Sequence, residues 1–499
     1  MTGEQIPNGT PGSDTSDAVA RGAEIRGGAL PGGGTTVDNT PPVNDTPPVG
    51  EAVPDDAATR GRARRIVAEL AERLHRPDPV VGTPAARGDT ASAPGSGTPR
   101  SPVSGPTLAA GHSGAALLYA ELSHMAPAFR QTAHAHLAAA LSTLGSRPGV
   151  GLYDGVTSLA FAARVTRHGP QDYATLLDQL DEKVIAGLRA ILGTERARLD
   201  AGRAGVAMST YDTISGVTGI GRYLLLCRDR HHEPLAECLS YLVRLVRTVR
   251  AHGVAVPGWW VPTGPSLLRD ARFPRGHFNL GAAHGICGPL ALLALAHELG
   301  VRVPGQSEAI HRLAEHVLSF RLDGGRWPRV LGFDDFVADS PGAVSGPGAT
   351  AAGWCYGTPG VARALYLAGR ALNEPGWRDT ATQSLTGTLL ALTRHQVGNN
   401  SLCHGWAGLL QIAWRMTDDS ADARLAGLLP RLAGRLIDAY DPGLPYGFSH
   451  DRPALMSGQP LPPHSPGFLE GATGIALALH TYATGRRPSC PWDAALLLN

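Results

Sequence analysis

Long hydrophobic runs are missing from this chain of 499 residues. No stretch reaches the 18 or so consecutive apolar residues of a membrane span, so no transmembrane segment is expected. An excess of either charge is missing too. Only 17% of the residues are charged and the formal net charge is +1, which speaks against a polyanion binder and hence against nucleic acid as a partner. Cysteine is scarce: six in so long a chain do not make a disulfide framework, and a cytoplasmic protein with metal-binding or reactive thiols is expected. The first fifty residues hold Gly, Pro, Thr and Asp but no apolar core, so no secretory signal is expected there. Strand-like alternation is absent as well.

What remains is helical and repetitive. Residues 1–54 cannot bury enough apolar surface to offset chain entropy and are expected to be a disordered tail. Asp56–Arg76 reads as a first helix, with Ile66, Val67, Leu70 and Leu74 at helical spacing and its arginines on a solvated face. Residues 77–106 read as a flexible loop rich in Pro, Gly, Ser and Thr. Beyond it, small-residue turns lead into Ala/Leu-rich segments at Gly111, Gly155, Gly216, Gly285, Gly357, Gly405 and Gly471. The intervals between these glycines are 44, 61, 69, 72, 48 and 66 residues. Each segment is apolar nearly all round, as buried helices are. Pro289 and Pro359 are tolerated only in a first turn, which marks the turns as helix N-termini.

Amphipathic helices are expected between them, over Pro127–Leu144, Gln171–Leu192, Pro234–His252, Gln306–Leu322, Trp377–His395 and Asp419–Tyr440. With Asp56–Arg76 they make seven outer helices for seven inner ones. Seven helical hairpins of irregular period, with no strand-like alternation and no polar capping repeat at the end of the series, lead to the expectation that residues 55–499 form one all-α, closed α/α toroid rather than an open solenoid.

In such a ring, equivalent positions of successive repeats share one height around the axis. The residues just ahead of each leading glycine should therefore gather. Cys355 stands two before Gly357 and Cys403 two before Gly405, with His404 beside it. Two thiols and an imidazole are a zinc-type donor set with a position left open. The positive end of a helix also favours the thiolate over the thiol, whose ordinary pKa is about 8.5. Cys287 sits in a slot held elsewhere by Thr218, Pro359, Ala407 and Thr473, so it reads as packing, as do Cys227, Cys238 and Cys490. His284, one before Gly285, and Asp212, four before Gly216, fall at the same mouth. Each has an ordinary alternative: a histidine bonded to a carbonyl, and a helix cap.

Four blocks, Asn279–Gly285, Trp354–Gly360, Leu402–Gly408 and Gly467–Gly474, resemble the signature of the lanthionine synthetase C-like cyclases. The resemblance runs from about residue 107 to the last residue. It implies an α/α toroid of seven inner and seven outer helices. It also implies zinc held by Cys355, Cys403 and His404, acid/base work by His284 and Asp212, and an active-site position at Tyr356. One departure stands out. The family's Arg four residues before the first zinc cysteine is here Ala351, and Arg329 in the preceding loop is a candidate to supply its charge.

The activity implied is addition of peptide cysteine thiols to dehydroalanine or dehydrobutyrine, forming lanthionine and methyllanthionine rings. The partners implied are a dehydrated precursor peptide, a separate dehydratase (no dehydratase or kinase-like region is fused here) and a transporter. Rival readings are a protein that adds glutathione to dehydroamino acids, a non-catalytic zinc scaffold for peptides, and an α/α-barrel sugar enzyme. The last should show paired carboxylates, and the Cys/Cys/His set counts against it.

Overall fold

The computed structural model of the protein describes residues 55–77, 106–146, 148–265, 271–338, 351–392, 397–449 and 464–499. The tail expected over 1–54 and most of the expected loop lie outside these. Seven helices start at the seven turns: α2 (His112–Leu122), α4 (Val156–Thr166), α7 (Val217–Leu226), α9 (Cys287–Glu298), α12 (Thr358–Ala371), α14 (Trp406–Ser420) and α16 (Ala472–Thr484). They form the inner wall. Every residue of α2 is buried, as is α9 from Cys287 to Ala296, which is why these segments are apolar on all sides.

The outer wall is α1 (Asp56–Leu74), α3 (Phe129–Ser142), α5 (Ala174–Asp200), α8 (His232–Leu245), α10 (Gln306–Ser319), α13 (Pro375–Ala391) and α15 (Ala423–Asp438). Each buries one stripe only. In α8 that stripe is Leu235, Cys238, Leu239, Leu242 and Leu245, at the three- and four-residue spacing of a single helix face. Two short helices, α6 (Met208–Tyr211) and α11 (Phe333–Val337), lie in the connections.

The ring closes, and backbone hydrogen bonds at the turns close it. Cys355 N donates to Cys403 O (3.1 Å), Cys403 N to Leu469 O (3.0 Å), and Leu469 N to Ala109 O (3.0 Å). The circuit continues from Leu108 N to Tyr153 O (3.1 Å), Tyr153 N to Ile214 O (3.1 Å), Thr213 N to Ala283 O (2.9 Å) and Ala283 N back to Cys355 O (3.4 Å). All seven acceptors stand two residues before a leading glycine, so the repeat register is itself a hydrogen-bonded collar. On the outside, α1 seals the seam against α16: Tyr482 Oη donates to Asp56 Oδ1 (2.7 Å) and Arg64 to Ala483 O (2.9 Å).

Residues Trp492–Asn499 fill the space inside the ring. Trp354 Nε1 donates to Leu496 O (2.8 Å), Tyr153 Oη to Ala495 O (2.9 Å) and Arg363 Nε to Leu498 O (3.1 Å). Because Tyr153 and Trp354 belong to the collar turns, the collar rests on a packed floor.

Four strands were not expected. Helix α8 ends at Leu245, and the run read as helix to His252 becomes a hairpin of β1 (Thr248–Ala251) and β2 (Val254–Pro257). Thr248, Val249, Val254 and Val256 favour strand, and His252-Gly253, both at positive φ (50° and 80°), form the two-residue turn that suits a hairpin. A second pair joins β3 (His277–Asn279) to β4 (Val330–Gly332), with Asn279 opposite Val330. Among the described residues no helix is long and apolar enough to cross a membrane.

Candidate metal and acid/base site

The collar brings the turns of α12 and α14 into contact, and the donor atoms follow. The ligand atoms of Cys355, Cys403 and His404 all lie within 4.8 Å of one another. The two turns meet so closely that a Cβ on Gly353 would stand 2.8 Å from His404 Cα, so glycine is required there. Gly357, at φ 95°, turns the chain back so that Thr358 N bonds Ala351 O (3.2 Å) as α12 begins.

Electrostatics within the trio suit a cation. Cys355 is held well below the usual thiol range, first by the hydrogen bond from Cys403 and then by that with His404. The same bond drives Cys403 well above it, together with burial. Two adjacent thiolates repel, so without a cation the pair favours one proton between them. Burial presses His404 toward the neutral form, but the Cys355 thiolate outweighs it and raises the imidazole above its ordinary value. His404 Nδ1 is buried without a hydrogen-bond partner among the described residues. A divalent cation in place of the shared proton would satisfy all three groups, so two thiolates and an imidazole fit zinc at this point.

His284 and Asp212 also meet. Asp212 is fully buried, and its Oδ2 lies 2.6 Å from His284 Nδ1. Its Oδ1 accepts from Ser215 N (2.8 Å) and Gly216 N (2.9 Å). The carboxylate therefore does both things considered for it: it ties the turn ahead of α7 and orients an imidazole. His284, with 21% of its side chain exposed, keeps Nε2 as its other nitrogen and is near enough to act on the charge of Cys355. Tyr356 is buried, and its hydroxyl accepts from Asn279 Nδ2 (3.1 Å). Burial, more than any other influence, pushes that phenol above its usual range. Cys287 lies in the core, where burial alone raises its thiol. Ala351 offers no charge, and Arg329 reaches the site from β4's leading end, its guanidinium carbon 4.9 Å from the centre of the Tyr356 ring.

Two site residues escaped the sequence reading. Glu470 stands one before its glycine, as His284 and His404 do. Its carboxyl is near enough to Cys403 to help raise that thiol, and is itself raised, first by burial. Asn279 stands six before Gly285, and its Oδ1 accepts from Gly281 N (3.0 Å). Asn399 stands six before Gly405 and bonds Ser401 N in the same way (3.0 Å). Both were visible as repeat slots.

Known proteins resemble this chain in sequence and in fold. The family described as lanthionine synthetase C-like protein matches residues 102–497. The nisin biosynthesis protein NisC of Lactococcus lactis subsp. lactis is 27% identical over 283 residues, covering 56% of this chain. The chain spans 64% of the length of that relative. A solved structure, nisin cyclase, superimposes with a TM-score of 0.66 at 21% identity, over 88% of this chain and 98% of its own, a likeness of fold.

Proposed function

The chain belongs to the lanthionine synthetase C-like family, and on that premise we propose that it is a zinc-dependent cyclase. Its substrate is a dehydrated precursor peptide, and it adds cysteine thiols of that peptide to dehydroalanine or dehydrobutyrine. The observation that carries the reading is the meeting of Cys355, Cys403 and His404 on adjacent turns, beside an imidazole oriented by a buried carboxylate. Zinc on that trio would leave a coordination position for a substrate thiol and lower its pKa toward neutrality.

The chain's own groups account for the rest. Asp212 takes the Nδ1 side of His284, which leaves Nε2 as the proton-accepting nitrogen. His284 receives the thiol proton. The sulfur forms its bond to the alkene β-carbon, the π pair moves onto the α-carbon and the acyl oxygen, and an imidazolium at His284 returns the proton to the α-carbon. Every atom of both reactants is kept, so no oxidant or reductant is needed. Tyr356, held by Asn279, takes the active-site position that the family resemblance implies. Supply of dehydroamino acids requires a dehydrating enzyme as partner.

The test is to incubate the zinc-loaded protein with a synthetic peptide holding one dehydroalanine and one cysteine, following thiol loss at unchanged mass. No acceleration over the uncatalysed rate sinks the reading. Thiol loss only on adding glutathione, with the matching mass gain, would make the intermolecular reaction the activity instead.

A further inference from the structure

Arg329 is placed with unusual firmness for a residue in a connection. Trp327, two residues before it, is fully buried, donates its indole N–H to Val317 O (2.7 Å) and its backbone N–H to Thr358 Oγ1 (3.3 Å). Val330, immediately after it, begins β4 and pairs with Asn279. The carbonyl of Arg329 itself accepts from Leu280 N (3.2 Å). The backbone is thus pinned to α10, to the turn of α12 and to the strand that carries Asn279. The side chain, half-buried, lies over Tyr356 at 4.9 Å, and its charge is felt at both Tyr356 and His404.

Yet the guanidinium has no carboxylate or carbonyl partner among the described residues. Other arginines of the ring do: Arg363 pairs with Asp419 (2.7 Å), Arg370 with Glu298 (2.9 Å) and Arg415 with Asp493 (2.6 Å). A cation held in place by its backbone, stacked on a ring and left without an anion is arranged to meet one that arrives.

We propose that Arg329 is a catalytic residue that donates hydrogen bonds to the acyl oxygen of the dehydroamino acid as negative charge develops there. This rests on the addition reaction proposed above. When sulfur bonds the β-carbon, the π pair passes through the α-carbon to the acyl oxygen, and a fixed guanidinium stabilises that oxygen more in the transition state than in the ground state. A residue that merely packs on Tyr356 would do neither.

The experiment compares Arg329→Met, Arg329→Lys and Arg329→Ala with the wild type on the synthetic peptide with one dehydroalanine and one cysteine, recording kcat, KM and zinc content. Arg329→Met should keep its zinc and its KM within a few-fold and lose about 10²–10³-fold in kcat, the loss expected for one oxyanion donor. Arg329→Lys should fall between, and added guanidinium ion should restore part of the Arg329→Ala rate. A normal kcat in Arg329→Met, a rise in KM alone, or loss of zinc from all three variants would each overturn the assignment. An inactive wild type would instead strike down the cyclase reading on which it rests, so the two failures are distinguishable.

Discussion

Six buried cysteines share one chain, and their surroundings separate them. Cys355 and Cys403 face each other and an imidazole, whereas Cys287 is buried in the core away from them. Cys355→Ala and Cys403→Ala should each lose bound zinc and cyclisation while keeping the helical spectrum, since removing one of the three proposed ligands leaves too few. Cys287→Ala should keep both and lose stability only. Metal analysis of the purified variants decides it, and a Cys287→Ala protein without zinc would refute the packing assignment. His284→Ala should retain zinc but cyclise about 10²–10⁴-fold more slowly if proton transfer limits the rate. Asp212→Asn should slow the reaction to a similar or somewhat smaller degree, because its amide N–H would donate to Nδ1 and leave the ring proton on Nε2, the nitrogen that must accept one. It should cost little in stability, because Oδ1 can still accept from Ser215 N and Gly216 N while Nδ2 donates to the ring. If His284→Ala is isolated without metal, His284 is a ligand and the open coordination position disappears. The residues of the candidate site could be named from the sequence because Cys355, Cys403, His404, His284 and Tyr356 stand one or two residues before a leading glycine, and Asp212 four. Glu470 obeys that rule as well as His284 does. Arg329 obeys none: it is delivered by pairing of strands some fifty residues apart, and no local pattern announces such a pairing.

The working element is the helix-opening turn rather than the helix. Each turn binds its neighbour through the residue two before the glycine, so the metal trio depends on how closely the turns of α12 and α14 approach. Gly353→Ala tests this directly. The added methyl would stand 2.8 Å from His404 Cα and 3.2 Å from Cys403 O, and only backbone movement can relieve contacts with backbone. The expected outcome is weakened zinc binding with near-normal helix content, read by competition with a chelator. Gly376→Ala, on outer helix α13 where a Cβ meets nothing within 4 Å, should leave zinc affinity unchanged and stabilise the protein slightly. Equal zinc affinity in Gly353→Ala and the wild type would show that the turn contact does not set the site. At this scale all fourteen wall helices were legible from apolar period and turn glycines. The two strand pairs were not. In Thr248–Pro257 the β-branched residues and the His252-Gly253 turn were present, but the amphipathic pattern running into them from α8 masked the change of period.

The ring as a whole is held at three levels: the collar, the α1–α16 seam outside and the segment Trp492–Asn499 within. The inner segment is fastened chiefly through Asp493, which is fully buried. Its carboxylate accepts from Arg415 Nε (2.6 Å) and Nη2 (2.7 Å), from Gln411 Nε2 (2.7 Å) and from Asn499 Nδ2 (2.7 Å). Arg222, buried nearby, has its pKa lowered to about 10, chiefly by desolvation, with the Asp493 charge acting against that loss. Asp493→Asn would remove the anion and turn one acceptor into a donor aimed at a guanidinium. Breaking one side of a buried pair costs about 3–5 kcal/mol, because the other charge stays buried and unpaired. The midpoint of urea unfolding should therefore fall clearly. Asp418→Asn, which faces an Arg487 that is 67% exposed, should cost under about 1 kcal/mol. Replacing both members, as Arg415→Met with Asp493→Leu, should recover part of the loss, since Arg415 is then not stranded while the buried Arg222 still loses the Asp493 charge. If Asp493→Asn unfolds at the wild-type midpoint, the inner segment is a filler and not a tie. A double variant no better than the single one would mean that the other partners of Asp493, Gln411 and Asn499, carry the fastening.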